Sequence, residues 1–135
     1  MPELPEVETM CRGLRPVTGS IIRGVQFAAR GLRPILVEPS RTAFRRRVVG
    51  RRLSAIKRRG KRILLHLQDG QLIVIEPRMT GLVLLADPPD RDHLRVGLRL
   101  EGGPAEWLWF WDQRGLGTLA VLRTDEQEGR LGPGR

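Results

Sequence analysis

The apolar positions of the chain change period near residue 50, and that change divides the elements they predict. Before it, Val7, Met10, Cys11 and Leu14 recur at i, i+3, i+4 and i+7, the spacing of one apolar stripe on a helix. Pro5 suits the first turn, Glu6 and Glu8 lie at the positive end, and Pro16 stops the pattern, which predicts a helix over residues 5–15. Residues 20–29 and 32–38 read as strands divided by Gly31. Ser40 as N-cap and Gly50 as terminator predict a short second helix over 40–49. Beyond Gly50 the period is two. Residues 52–58 and 62–68 alternate, and Asp69-Gly70 signals a hairpin into 71–75. Further strands are predicted at 82–86, 94–100, 105–111 and 117–122. Leu94, Val96, Leu98 and Leu100 share one face against Arg95 and Arg99, and Trp107, Trp109 and Trp111 share a face of the next strand. Short antiparallel strands with two flanking helices predict a mainly β, α+β domain, an antiparallel β-sandwich or flattened barrel over residues 1–123. Residues 124–135 are polar and Gly-rich and read as a tail or the start of an interdomain linker.

Composition narrows the class. A chain of 135 residues that is 40% hydrophobic has room for one domain with a core and is too apolar for disorder. No apolar stretch approaches the roughly 20 residues of a membrane span, and no basic start with an apolar run behind it marks a secretory signal. Cys11 stands alone, which excludes an internal disulfide or a cysteine-rich zinc site and predicts a reduced, cytoplasmic protein. The formal net charge is +9, and eleven of the 24 basic residues fall within 41–62, where there is no Asp or Glu. Such a block favours a polyanion partner, through release of condensed counterions, over the alternative of a merely solvated basic face.

Single residues, taken alone, carry ordinary structural readings. Pro2 is a helix-entry proline, and Glu3 and Glu6 are acids that compensate the helix dipole. Met79 and Leu116 are loop anchors in the core, and His93 is a capping or surface histidine.

The motifs point to chemistry at these positions. Met-Pro-Glu-Leu-Pro-Glu-Val-Glu-Thr over residues 1–9 is similar to the opening of the formamidopyrimidine-DNA glycosylases, the oxidised-purine branch of a family that also holds the endonuclease VIII enzymes. Arg58-Arg59-Gly60-Lys61-Arg62 resembles that family's basic hairpin, and Met79-Thr80-Gly81 its Met-Ser-Gly turn. Asp92-His93 resembles its phosphate-contacting histidine, and Asp112-Gln113-Arg114-Gly115-Leu116-Gly117 its Asp-Pro-Arg-Arg-Phe-Gly loop, with Gln, Gly and Leu as departures. The resemblance covers residues 1–122, the family's N-terminal catalytic domain.

What the resemblance implies is base-excision repair: a DNA glycosylase removing oxidised purines such as 8-oxoguanine and formamidopyrimidines, with lyase cleavage through a Schiff base. The N-terminal helix would carry the active site, with Pro2 as nucleophile, Glu3 as the acid at the sugar ring and Lys61 as a phosphate and proton-transfer group. Glu6 would orient the amine or bind a water. His93 would contact phosphate, Arg114 would pair with the orphaned cytosine, and Met79 and Leu116 would wedge the stack, Leu116 more weakly than an aromatic. The expected partner is damaged double-stranded DNA, met by a monomer, with no membrane. No cofactor is expected in this chain, since the family's zinc belongs to a C-terminal half not included in these residues. The competing classes are a non-catalytic DNA-binding module or a domain with weak lyase activity only, and an RNA-binding protein, which the N-terminal motif disfavours.

Overall fold

The apolar stripe near the N-terminus is a buried helix face. In the computed structural model of the chain, residues 4–28 and 34–131 are described. Helix α1 (Leu4–Leu14) buries Val7, Cys11 and Leu14 completely and Met10 in part, and Pro16 turns the chain into one 3-10 turn, Arg15–Val17. Strand β1 (Ile21–Phe27) and the short β2 (Leu36–Glu38) follow. Helix α2 (Arg41–Val48) starts where Ser40 accepts a hydrogen bond from the Ala43 amide at 3.0 Å, and it buries Phe44 and Val48. The period-two half forms β3 (Leu53–Arg59), β4 (Arg62–Leu67), β5 (Leu72–Glu76), β6 (Gly81–Leu84), β7 (Leu94–Glu101), β8 (Trp107–Asp112) and β9 (Thr118–Leu122).

These strands make two sheets, one in the order β1-β7-β8-β6 and the other β2-β9-β5-β4-β3. The sandwich expectation holds, and the barrel alternative does not: the sheets stay open. Helix α1 packs on the edge strands β3 and β6, and α2 on the edge strands β1 and β2, so helices cover edges that a barrel would close by hydrogen bonds. One pair departs from the antiparallel expectation. Strand β2 runs parallel to β9, Leu36 opposite Thr118, as a long crossover permits.

The core lies between the sheets, and Leu14, Ile22, Leu53, Ile63, Leu65, Ile75, Leu98 and Leu108 are among its fully buried side chains. Burying each such side chain is worth roughly 1.5–3 kcal/mol relative to leaving it exposed. A second cluster, Leu64, Leu72, Val74, Ala120 and Leu122, lies apart from the first, with Leu131 of α3 (Thr124–Leu131) packed against it. Residues 124–131 are therefore helical where the sequence reads as tail or linker. The outward leucines of β4, β5 and β9 require a cover, and a helix with one apolar contact supplies it. Among the described residues no helix is long and apolar enough to cross a membrane.

Candidate functional site

Strand register decides which turns meet. Ile63 stands opposite Ile75, so the β3–β4 turn holding Lys61 and the exit of β5 toward Met79 lie at the same end of their sheet. Thr118 stands opposite Glu76, which brings the start of β9 to that end. In the other sheet Gly81 faces Asp112 and Leu94 faces Trp111, so the turn before β6, the start of β7 and the loop after β8 also converge there. One end of the sandwich thus gathers Lys61, Met79, His93, Arg114 and Leu116.

Helix α1 points its first turn at this end. Glu8 accepts from Arg58 Nε at 2.9 Å, while Arg15 Nε reaches the Ile56 carbonyl at 3.4 Å, so α1 runs back toward its N-terminus as β3 runs toward Gly60. Arg58 also donates to the Gly60 carbonyl at 2.9 Å, which ties the Lys61 turn to the helix. The Arg58 guanidinium first, and then Arg12 at 2.9 Å, hold the Glu8 carboxyl below the usual carboxylate range. Glu6 is exposed in the first helical turn. Pro2 and Glu3 lie outside the described residues.

Lys61 is half-buried in a turn whose Gly60 has φ +59°, a left-handed conformation that suits glycine. Met79 adopts φ +53° without being glycine and leaves 36% of its surface exposed. A left-handed methionine is held by its surroundings, and such residues gather at functional sites. Arg114 is exposed and Leu116 half-buried between Gly115 and Gly117. A side chain at Gly117 would place its Cβ 2.5 Å from the Phe110 ring and 2.9 Å from the Glu76 carbonyl, so the loop closes only over glycine.

His93 is seated by Asp90. Its Nδ1 lies 3.1 Å from Asp90 Oδ1, its backbone N–H donates to the same oxygen at 3.0 Å, and Trp111 Nε1 donates there at 3.1 Å. The Trp111 hydrogen bond, followed by those from His93, lowers the Asp90 pKa from its ordinary value. With Nδ1 engaged and the ring edge-on to Trp111 at 5.9 Å, Nε2 is the remaining ring nitrogen.

Four residues important to this arrangement were given no role from sequence: Glu8, Arg58, Thr80 and Asp112. The last is wholly buried at the end of β8, and both its carboxylate oxygens accept hydrogen bonds from neighbouring segments. Arg58, Thr80 and Asp112 stand inside the motifs that carry the family resemblance, and that is the signal that could have found them.

The block at 41–62 looks different in three dimensions. Arg41 and Arg45 lie over the Phe27 ring at 5.1 and 5.2 Å, and Arg45 also donates to the Val25 carbonyl. Arg51 pairs with Asp69 and Arg47 with Glu126. Arg52 caps the Gly19 carbonyl at 2.7 Å, and Arg59 and Arg62 reach carbonyls at the end of α3. Much of the block clasps elements together.

Two open sheets with helices on their edges, and the turns of Lys61, Met79, His93, Arg114 and Leu116 gathered at one end, define a two-sheet α+β domain. The family model described as the formamidopyrimidine-DNA glycosylase N-terminal domain matches residues 1–119, and the chain belongs to that family. It is 40% identical over 124 residues to the formamidopyrimidine-DNA glycosylase of Chloroflexus aggregans, covering 90% of this chain and 44% of that one. It is 42% identical over 126 residues to the enzyme of that name from a Nocardioides species, covering 90% and 42%. Its fold matches the crystal structure of Lactococcus lactis formamidopyrimidine-DNA glycosylase non-covalently bound to DNA containing an AP site, with TM-score 0.81, 27% identity, and coverage of 95% of this chain and 48% of that one. The chain spans about half the length of the curated relatives it matches.

Proposed function

We propose that the protein carrying this chain is a base-excision DNA glycosylase for oxidised purines that also cleaves the strand as a lyase. The observation that supports this most directly is the gathering of Lys61, Met79, His93, Arg114 and Leu116 at the end of the sandwich toward which α1 points its first turn. In this reading Pro2 supplies the nucleophile after Met1 is removed. Its secondary amine bonds to C1′ as the bond to the damaged base breaks, and the base leaves with a proton. Opening of the sugar ring, with a proton delivered to its oxygen by Glu3, gives an iminium. Loss of a C2′ proton then expels the 3′ phosphate. Lys61 lies at the flanking phosphate and moves a proton in the elimination, which an arginine could not do. Glu6 orients the amine or holds a water.

Flipping the damaged nucleotide costs a few kcal/mol of stacking and pairing. Met79 and Leu116 fill the vacated space, Arg114 pairs with the orphaned base, and His93 grips phosphate through Nε2. The chemistry as written draws on an amine and two proton carriers, so it calls for no metal or organic cofactor in this chain. The partner is damaged duplex DNA met by a monomer, and the location is cytoplasmic, at the nucleoid.

Borohydride reduction of a mixture of the processed protein and abasic-site DNA tests this reading. A covalent adduct is expected, lost in Pro2→Gly and when Met1 is retained. An adduct that persists with Met1 in place would move the nucleophile to Lys57 or Lys61, and binding without any adduct would leave a non-catalytic DNA-binding module.

A further inference from the structure

Asp112 engages every polar atom it has, and its four bonds reach three segments: the start of β7, the Met79 turn and its own loop. Its amide donates to the His93 carbonyl at 3.0 Å, and its own carbonyl accepts from Arg95 Nε at 2.7 Å. Its Oδ1 accepts from the Thr80 hydroxyl at 3.1 Å, and its Oδ2 from the Gly117 amide at 2.8 Å. The Thr80 oxygen in turn accepts from the Arg114 amide at 3.2 Å, and Arg95 Nη2 reaches the Gln113 carbonyl at 3.2 Å. Asp112 is 0% exposed and Arg95 3%, so the bonds of Asp112 to Arg95 and to the Gly117 amide are made away from water, where breaking one leaves a buried group unpaired, while those of Thr80 lie nearer the surface.

We infer that Asp112, Thr80 and Arg95 are positioning residues that lock the Met79 turn and the 112–117 loop into a single wedge, so that Met79, Arg114 and Leu116 enter DNA together. The inference deepens the repair reading and rests on it. None of the three need touch DNA. Thr80 lies beside Met79 in sequence and holds the amide of Arg114, so one hydroxyl joins the residue that wedges to the residue that reads the opposite base. Two loops free to move separately would each pay their own ordering entropy on insertion, whereas a locked pair is already arranged. The lock also accounts for the left-handed Met79: the turn is fixed on one side by the Gly81 amide bonded to the Arg78 carbonyl at 3.0 Å and on the other by Thr80 on Asp112.

The conservative pair Thr80→Val and Thr80→Ser separates this role from general folding, because Thr80 is half-exposed and valine keeps its shape. In the full-length protein, amide hydrogen exchange without DNA should quicken at Arg114 and across 79–81 in Thr80→Val, and remain as in the parent in Thr80→Ser. Single-turnover assays then compare excision of 8-oxoguanine with borohydride trapping on a pre-formed abasic site. The ratio of the two should fall about tenfold in Thr80→Val, the size of one lost hydrogen bond, and be restored in Thr80→Ser. Intact lesions depend more on the wedge because their base must still be extruded. Unchanged exchange at Arg114, or an equal ratio in the valine and serine variants, overturns the lock. A parent protein that traps no abasic DNA refutes the repair reading instead, while the exchange measurement still decides whether the two loops are coupled.

Discussion

The basic block at 41–62 and the loop end around Asp112 show opposite relations between charge and use. The block concentrates eleven basic residues, yet most of its arginines stack on Phe27, pair with acids or cap carbonyls. At the loop end acids and bases are mixed, and it is where Met79, His93, Arg114 and Leu116 are presented and held. Charge density along a sequence records how many cations a fold carries. Register and buried polar bonds record where they are aimed. A guanidinium bonded to a carbonyl keeps its charge and still draws a polyanion closer, but it does not set the geometry of contact.

The largest expected difference between the regions is in activity. Arg114→Ala should lower excision of 8-oxoguanine opposite cytosine about 100-fold, near the upper range for a lost base contact, while Arg46→Ala in the block should cost about threefold or less. Single-turnover rates at one fixed salt concentration check both, and equal losses would erase the contrast.

Stability should rank the other way. Phe44→Ala, beneath the block, removes a fully buried ring and should cost about 3–5 kcal/mol in urea denaturation. Arg52→Ala frees the Gly19 carbonyl at the corner where β1 meets the start of β3, and should cost about 1 kcal/mol with little change in DNA affinity. A large drop in affinity with unchanged stability would return the block to the DNA face.

The smallest effect is a pH dependence. Glu8 has its pKa lowered by Arg58 and Arg12, so its clasp on β3 is complete above the ordinary carboxylate pKa and is lost as pH falls through the lower folded value. Thermal melts of the parent and of Glu8→Gln should therefore differ at neutral pH and converge in acid. Divergence toward acid would reverse the assignment.

Periodicity was a good guide to elements. The i, i+3, i+4, i+7 stripe of α1, Ser40 as the cap of α2 and the strands predicted beyond residue 50 appear within a few residues of their expected bounds, because one buried face dictates a helix or strand pattern; the expected strand 32–38 is seen only as Leu36–Glu38, and the break at Gly31 lies outside the described residues. It was a poor guide to what covers the other face. Arg95 alternates with core residues and would by pattern face solvent, yet it is buried against the backbone of Asp112 and Gln113. A bulge between Leu94 and Val96 leaves Leu94 half-buried, out of step with Val96, Leu98 and Leu100. Helix α3 was hidden for a related reason: Leu131 is its main apolar contact, and the need for cover is written in β4, β5 and β9 instead. At the site, short motifs marked the exposed residues. Thr80 and Asp112 act through bonds between segments far apart in sequence, which no local pattern carries.

The central claim is that DNA is engaged at the loop end and that residues 41–52 of the block serve mainly the fold. Hydrogen exchange of the full-length protein with and without abasic-site duplex measures this directly. Protection should appear at 59–62, 78–81, 91–94 and 112–117, with 41–52 nearly unchanged. Protection confined to 41–52, with those four segments exchanging as in the free protein, would contradict it.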